Sequence, residues 1–185
     1  MVQNMSEMHE DILKILYTEE EIRARVKELG QQITKDFAGS MPIVIGILKG
    51  AIIFYADLLR ECDLSAQLEF MIVSSYGAGT TSGKLVFKKD TDANLDGRNI
   101  LIVEDIVDSG NTLYLLKNEL SKRNPAMIKI CALLDKPARR TADIKADYIG
   151  FECADEFVVG YGLDFAEKYR NLPYIGVLKP HVYET

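Results

Sequence analysis

The sequence predicts an α/β fold with a central, mainly parallel sheet flanked by helices. Three nearly unbroken aliphatic runs, 42–50, 99–105 and 126–135, have the length and composition of strands that are buried on both faces. Segments with a helical pattern separate these runs, and this alternation is typical of parallel strands joined by crossover helices. Because ligands of such folds bind at the carboxyl ends of the strands, the residues that follow the aliphatic runs are the first candidates for a site.

Length, composition and charge narrow the class of protein. The 185 residues are 48% hydrophobic and 27% charged, so we expect one globular domain over 1–185. The net charge of −6 argues against a general nucleic-acid binder, which needs an excess of basic residues. No signal peptide or run of ~18 apolar residues is present, and the three cysteines form no CxxC pair. We therefore expect a soluble cytoplasmic protein with free thiols and no nucleic-acid or membrane partner.

The first half of the chain begins with a clear helix signal. The segment TEEE, 18–21, is a capping box with Thr18 as N-cap, and Gly39 is a plausible end of the helix. The apolar residues between them recur at steps of four, three, four and four, which is one face of a helix: Ile22, Val26, Leu29, Ile33 and Phe37. After the strand at 42–50, the segment 51–62 is helix-like and 66–76 is strand-like.

The second half contains a loop that we expect to be mobile. Residues 77–84, GAGTTSGK, are small and polar, and 84–90 can form a strand beside them. We therefore predict a flexible hood loop and hairpin over 74–98 within the single domain. The segment 112–124 is helix-like, and two shorter β-like pieces, 146–153 and 156–164, follow the third aliphatic run.

The stretch LIVEDIVDSGNTL, 101–113, joins a buried strand to a helix and carries the strongest site signal. The free N–H groups and the dipole of a helix N-terminus form an anion site. Gly110 lets the chain approach a ligand closely, and Ser109 and Thr112 add hydroxyl donors. A phosphate suits this turn, although an N-cap without a ligand would produce the same pattern.

Three carboxylates in five positions distinguish this turn from a simple cap. Because successive strand residues face opposite sides, we expect Glu104 and Asp105 to serve different purposes, while Asp108 lies in the turn itself. Carboxylates accept hydrogen bonds from sugar hydroxyls and bind Mg²⁺. A ribose 5-phosphate unit, with vicinal hydroxyls next to a phosphate, fits these groups.

Five segments together resemble the hypoxanthine-guanine branch of the type I phosphoribosyltransferase family. VEDIVDSGNTL, 103–113, resembles the family's phosphoribosyl pyrophosphate motif, and GILKGA, 46–51, resembles its pyrophosphate loop. SSYG, 74–77, resembles the start of the catalytic hood. LLDKP, 133–137, and the region 156–176 resemble the purine end of the site. The resemblance covers about residue 12 to the end and implies transfer of a ribose 5-phosphate unit to a 6-oxopurine, with release of pyrophosphate.

The resemblance also implies roles for the residues of the central motif. Asp108 would accept the proton from purine N7, and Glu104 and Asp105 would hold the ribose hydroxyls, partly through Mg²⁺. Mg²⁺ between the carboxylates and the anionic substrate would explain why acids stand in an anion site. The residues implied for the ribose 5-phosphate, besides those two carboxylates, are Asp108, Ser109, Gly110, Asn111 and Thr112. Asn111 replaces a lysine of some relatives, which leaves more of the phosphate binding to backbone donors.

The resemblance implies further residues for the pyrophosphate group of the donor and for the purine base. Pyrophosphate would be bound at Leu48, Lys49, Gly50 and Arg170, and the family has a cis peptide at the bond matching Leu48–Lys49. Lys136 would donate to purine O6, which separates 6-oxopurines from adenine. Phe157 would stack on the base and the Val158 backbone would read its N1 edge. Asp164 would lie near the purine and a second Mg²⁺, and Ser75 and Tyr76 would close over the site.

Structural roles and different functions also fit parts of the sequence. Taken singly, Asp108 could cap a turn, Lys49 could be solvated, and Phe157 could be core. A receiver-type signalling domain also has acidic residues at the end of a strand. In such a domain this strand lies near the N-terminus, whereas here it begins at residue 99. A phosphoribosyl pyrophosphate-binding RNA regulator and a phosphoribosyltransferase for xanthine or a pyrimidine are two further candidates. Relatives form dimers and tetramers, so we expect a homodimer or homotetramer.

Overall fold

The computed structural model describes residues 3–76 and 84–184. The helices in this part of the chain are α1 Met5–Glu10, α2 Glu19–Asp36, α3 Ile52–Glu61, α4 Asn111–Ser121 and α5 Pro180–Tyr183. The strands are β1 Ile12–Tyr17, β2 Ile43–Ile47, β3 Gln67–Tyr76, β4 Lys84–Lys89, β5 Asn99–Val107, β6 Met127–Asp135, β7 Tyr148–Glu152, β8 Val158–Val159 and β9 Ile175–Leu178.

Six strands form the central sheet in the order β4-β3-β2-β5-β6-β7. All neighbours in it are parallel except β3 and β4, which form an antiparallel hairpin. Ile43 of β2 pairs with Ile100 of β5, and Ile102 of β5 pairs with Ile130 of β6. The three aliphatic runs therefore lie side by side, and their carboxyl ends meet at one edge. The predicted α/β fold with a mainly parallel sheet is confirmed.

The side chains of the central strands alternate between two separate hydrophobic clusters. Val44, Leu101 and Leu133 face one side, where the apolar faces of α2 and α3 cover them. Ile45 and Ile102 face the other side, where they pack with Leu113, Leu116 and Leu120 of α4. Burial on both faces explains why these strands are continuously apolar instead of alternating with polar residues.

Helix α2 begins and packs as the sequence predicts. The Glu21 N–H donates to Thr18 Oγ1 at 3.3 Å, and the Thr18 N–H donates to Glu21 Oε2 at 2.8 Å, which completes the capping box. All five apolar residues of the predicted face are buried. Gly39 has a φ of +75° two residues past the C-cap, a conformation that favours glycine.

A second, three-stranded sheet with the order β1-β9-β8 was not predicted from the sequence. Strand β1 pairs antiparallel with β9, and β9 pairs with β8. From here on we call this sheet with its connecting loops the hood; it is distinct from the predicted hood loop and hairpin over 74–98. Its small core contains Val159, Tyr169, Leu172, Tyr174 and Leu178. Strand β1 contains a lysine and is only partly buried, so no local pattern distinguishes it.

Several boundaries differ from the predictions. Strand β5 extends two residues further, to Val107, and the segment 156–164 contributes only the two-residue strand β8. Strand β4 lies within the predicted segment 74–98, but its partner β3 begins at Gln67 and overlaps that segment only at 74–76; residues 77–83 lie outside the described part. Among the described helices, none has the length and hydropathy needed to cross a membrane. The single domain over 1–185 and the mobility of the hairpin loop stay predictions.

Removing the cap of α2 should destabilise the fold without altering the ligand cavities. We expect Thr18→Ala to lower the free energy of unfolding by ~1 kcal/mol, because the first-turn N–H groups lose their acceptor. The midpoint of thermal unfolding should fall by about 2–4 °C, which calorimetry measures. Thr18→Ser keeps the hydroxyl and should restore most of the loss. A decrease of the same size in both variants would contradict the capping role.

Candidate active site

Two adjoining cavities lie at the carboxyl edge of the central sheet. One has a volume of about 340 Å³ and lies over the ends of β2 and β5, so we call it the donor cavity. The other has a volume of about 520 Å³ and lies between the end of β5 and the hood, so we call it the base cavity. Of the described residues, four line both: Asp105, Ile106, Asp108 and Asp164. A ligand that fills both cavities would cross these four side chains.

The turn from β5 to α4 has the backbone geometry of an anion site. Gly110 is the N-cap of α4 with a φ of +81°, and no side chain caps this helix. A Cβ at Gly110 would lie 2.5 Å from Ile144, so only glycine fits. Ser109 and Thr112 line the donor cavity, but Asn111 does not. The N-terminus of α4 therefore lies at the donor cavity, where the Asn111 N–H donates to Ser109 Oγ at 3.4 Å, and its dipole favours an anion there.

A segment that sequence analysis overlooked holds this turn from behind. The N–H groups of Thr141 and Ala142 donate to the Ser109 carbonyl at 3.0 and 3.1 Å. Arg140 forms an ion pair with Asp135 and donates to the Val107 carbonyl at 3.3 Å. These contacts fix the turn to the end of β6. The only sequence signal was the pair of arginines shortly after the predicted Lys136.

Glu104 and Asp105 form a carboxyl pair, contrary to the expectation of opposite orientations. Both line the donor cavity, and their carboxyl groups are close enough to shift each other's pKa. The reason is local: Asp105 Oδ1 turns back to accept the Ile106 N–H at 2.8 Å. Burial raises the pKa of both carboxyls, and the neighbouring charge of Asp105 raises the pKa of Glu104 further. A cation beside the pair would favour its ionised form.

The loop after β2 packs directly on this pair. A Cβ at Gly50 would lie 1.7 Å from Asp105 Oδ2, so a side chain has no room there. The peptide bond Leu48–Lys49 is cis, as the resemblance implied. Leu48, Lys49 and Gly50 all line the donor cavity. Within the described part of the chain, the N–H groups of Lys49 and Gly50 have no hydrogen-bond acceptor, which leaves them available to an anion.

A network of charged side chains closes the side of the donor cavity. Arg170 donates to the Gly162 carbonyl at 2.8 Å and forms ion pairs with Asp164 at 2.8 Å and Glu167 at 3.2 Å. Lys49 Nζ lies 2.9 Å from Glu167 Oε1. Two cations therefore stand at this wall, held by two carboxylates that a more highly charged anion could displace.

Asp108 lies between the two cavities. Its Oδ1 is 3.1 Å from Nε of Arg139, at an angle that is not that of a hydrogen bond. Arg139 also lies 3.2 Å from Asp155 and was not among the predicted site residues. The Asp108 carboxylate thus has a cation on one oxygen and is open to a ligand in either cavity.

The base cavity has a cation at its inner end and an aromatic ring at its rim. Lys136 is buried and donates from Nζ to the Glu156 carbonyl at 2.7 Å. An ammonium group has three donors, so two remain for a ligand. Phe157 is 37% exposed, whereas Val158 next to it is buried in β8. A flat ligand with an acceptor oxygen fits between these groups.

The geometry brings together almost all of the predicted site residues. Those that line the cavities are Leu48, Lys49, Gly50, Glu104, Asp105, Asp108, Ser109, Gly110, Thr112, Lys136, Phe157, Val158, Asp164 and Arg170. Asn111 is the exception. The side chains of Ser75 and Tyr76 lie outside the described part, so their closing role stays a prediction. A third cavity, of about 470 Å³ between α2, α3 and the hood, has none of these residues among its described walls.

Comparison with known proteins agrees with this arrangement. A family model described as a phosphoribosyl transferase domain matches residues 13–166. A hypoxanthine-guanine phosphoribosyltransferase of Bacillus subtilis (strain 168) is 55% identical over 96% of this chain and 99% of its own. The chain belongs to the hypoxanthine-guanine phosphoribosyltransferase family. A second member, from Streptococcus thermophilus (strain CNRZ 1066), is 48% identical over 95% of this chain and 98% of its own.

A solved structure extends the agreement to the fold. The crystal structure of a hypoxanthine phosphoribosyltransferase from Staphylococcus aureus superposes with a TM-score of 0.95 at 46% identity. It covers 99% of this chain, and the match spans 100% of that chain. The family resemblance, the type I phosphoribosyltransferase fold and the class of enzyme predicted from the sequence are thus confirmed.

Adding a single methyl group at Gly50 should disable the donor cavity. We expect Gly50→Ala to weaken binding of phosphoribosyl pyrophosphate by about two orders of magnitude, because the Cβ must displace Asp105 or the loop. Titration calorimetry in the presence of Mg²⁺ measures the Kd.

Gly39→Ala is the control for the Gly50 variant. A Cβ there would meet no heavy atom within 4 Å, so only the positive φ is strained. We expect a loss of stability of ~1 kcal/mol with unchanged binding. Equal Kd values for Gly50→Ala and the parent protein would contradict the close packing at Asp105.

Proposed function

We propose that this chain salvages purines by transferring the ribose 5-phosphate unit of phosphoribosyl pyrophosphate to hypoxanthine, guanine or both. The products are IMP or GMP and pyrophosphate. The observation that carries the proposal is the position of Asp108, which lines both the donor cavity and the base cavity. A group that serves both reactants must stand where their reacting atoms meet, and few side chains besides Asp108 do so.

The donor cavity would hold the charged groups of phosphoribosyl pyrophosphate at its two ends. The turn of Ser109, Gly110 and Thr112 would bind the 5′-phosphate through the N-terminus of α4. The free N–H groups at Lys49 and Gly50 would bind the pyrophosphate. Arg170 would add a cation, since a ligand with several charges competes well for a side chain that otherwise pairs with Glu167.

Mg²⁺ fits the carboxyl pair, with the substrate supplying further ligands. Burial raises the pKa of both Glu104 and Asp105, and a cation beside the two carboxyls would favour their ionised forms. No cluster of three or more metal-binding side chains exists in the described part of the chain. This suits an ion that proteins bind through one or two carboxylates plus substrate phosphates. Bound there, and with Asp164 nearby for a second ion, it would neutralise the departing pyrophosphate.

Asp108 would act as the general base of the forward reaction. The proton at purine N7 is lost as the bond from N9 to the anomeric carbon forms and the bond to pyrophosphate breaks. Asp108 would accept that proton and return it in the reverse reaction. Arg139, whose Nε lies 3.1 Å from Asp108 Oδ1, would help to hold this carboxylate in place.

The base cavity would select a 6-oxopurine. Lys136 has donors and no acceptor, so its ammonium suits the O6 of hypoxanthine or guanine and opposes the 6-amino group of adenine. Phe157 would stack on the ring, and the Val158 backbone would meet its N1 edge. Guanine and hypoxanthine differ at position 2, and both fit a cavity of about 520 Å³. We further propose that the enzyme is cytoplasmic and works as a homodimer or homotetramer.

The deciding experiment measures nucleotide formation by Asp108→Asn beside the parent protein. We follow absorbance with phosphoribosyl pyrophosphate, Mg²⁺ and, separately, hypoxanthine, guanine, xanthine, adenine and uracil. The parent protein should use hypoxanthine or guanine and lose activity with a chelator. In Asp108→Asn, kcat should fall by about 10²- to 10⁴-fold, because the amide cannot accept the N7 proton.

Asp155→Asn is the matched control, because Asp155 pairs with the same arginine and lines the same cavity. Its activity should fall by less than about fivefold, the effect of losing an exposed ion pair. Nucleotide formed only from xanthine or only from uracil would show that the enzyme uses that base in place of hypoxanthine and guanine. Binding of phosphoribosyl pyrophosphate without product from any base would favour a regulator over an enzyme.

Replacing Lys136 should abolish the preference for 6-oxopurines. We expect Lys136→Met to lower kcat/KM for hypoxanthine by about 10- to 100-fold, because a charge-assisted hydrogen bond to O6 is lost. The KM for phosphoribosyl pyrophosphate should stay unchanged. Lys27→Met, at an exposed position of α2 outside both cavities, is the control. A parallel rise in both KM values would show that Lys136 supports the cavity without reading the base.

A further inference from the structure

The C-terminal helix α5 brings an aromatic ring to the base cavity. Tyr183, at its end, lines this cavity together with Asp108 and Lys136. Its ring lies nearly parallel to that of Phe157, with 4.7 Å between the ring centroids and 17° between the planes. None of the five family-like segments includes Tyr183, so no sequence pattern assigns it to a site.

The two faces of the Phe157 ring have different surroundings. Tyr183 covers one face as a parallel ring, and Phe165 meets Phe157 at 90° with 5.4 Å between centroids. A perpendicular ring covers much less of a flat face than a parallel ring does. Phe157 is still 37% exposed and lines the base cavity, so the part of its ring that Tyr183 does not cover is accessible to a flat ligand.

The stacked pair is anchored to the hood through backbone hydrogen bonds. The Leu178 N–H donates to the Phe157 carbonyl at 2.8 Å, and the Lys179 N–H donates to the Asp11 carbonyl at 2.9 Å. Tyr183 and Val182 also pack against the small core of the hood. Because the segments that carry Phe157 and Tyr183 are both bound to the three-stranded sheet of the hood, Tyr183 has a fixed position relative to Phe157.

We propose that Tyr183 is a positioning residue for the base, which rests on the function proposed above. It backs the Phe157 ring, so that the base becomes the third layer of a stack over Phe157 and Tyr183. The cavity keeps about 520 Å³ with Tyr183 in place, so the ring is a wall and does not fill the space of the base. Without it, Phe157 gains rotational freedom that base binding must remove. Base affinity depends on Tyr183, whereas donor binding and the chemical step do not.

The test compares Tyr183→Ala, Tyr183→Phe and, as a control on the same helix, the exposed His181→Ala. The KM for hypoxanthine of Tyr183→Ala should rise by about three- to tenfold, the effect of losing an aromatic pair. The KM for phosphoribosyl pyrophosphate and kcat at saturating hypoxanthine should not change. Tyr183→Phe keeps the ring and should match the parent protein, as should His181→Ala.

Three kinetic outcomes would overturn the proposal. An unchanged KM for hypoxanthine in Tyr183→Ala would show that Tyr183 does not support base binding. A lowered KM would mean that the Tyr183 ring occupies the place of the base. A rise in the KM for both hypoxanthine and phosphoribosyl pyrophosphate, together with a lower Tm, would show that α5 only stabilises the fold. Calorimetric titration with IMP tests the stack without turnover and should show the same three- to tenfold weakening. A parent protein that binds IMP but turns over no base would contradict the enzymatic function and leave the stack intact.

Discussion

The close contact between Gly50 and Asp105 is the constraint on which the rest of the site depends. A Cβ on Gly50 would lie 1.7 Å from the Asp105 carboxylate, and a Cβ on Gly162 would lie 2.0 Å from the Gly50 carbonyl. Three chain segments, the end of β5, the loop after β2 and the hood, therefore meet with no room for a side chain at either glycine. Gly162 has a φ of +104°, which also favours glycine. The two cavities can adjoin only because these segments are this close.

Charge balance follows from that proximity. The donor cavity combines a buried carboxyl pair with a helix N-terminus and two cations, Lys49 and Arg170. Burial raises the pKa of the carboxyl pair, whereas the two cations form ion pairs with Glu167 and Asp164 at the wall. An anionic ligand that arrives with a divalent cation satisfies both sets together. The mixture of acidic and anion-binding groups in the central motif therefore suits the proposed ligand, an anion that carries a divalent cation.

The sequence predicted what depends on local patterns and missed what depends on distant pairing. The capping box at Thr18 and the face of α2 follow from spacing within one helix, and the buried strands follow from composition. Strand β1 was not predicted because its partner, β9, lies more than 150 residues away along the chain. The predicted orientation of Asp105 was wrong because its carboxylate accepts a hydrogen bond from the Ile106 N–H, which turns the side chain away from the direction that strand alternation gives it. The predicted site residues that line the cavities lie inside family motifs, whereas Arg139 and Tyr183, which also line the base cavity, lie beside or beyond those motifs and show no pattern of their own.

The pairing of β1 with β9 also has a consequence for the order in which the molecule is completed. The strands β2, β5 and β6 and the turn at Gly110 lie in the middle of the chain and can assemble before the last segment exists. The hood cannot, since β9 joins a strand near the start of the chain to β8. During synthesis, the turn from β5 to α4 can thus form before β9 has been made. The wall that carries Phe157 must wait for β9, so a partly made chain holds half of the candidate site.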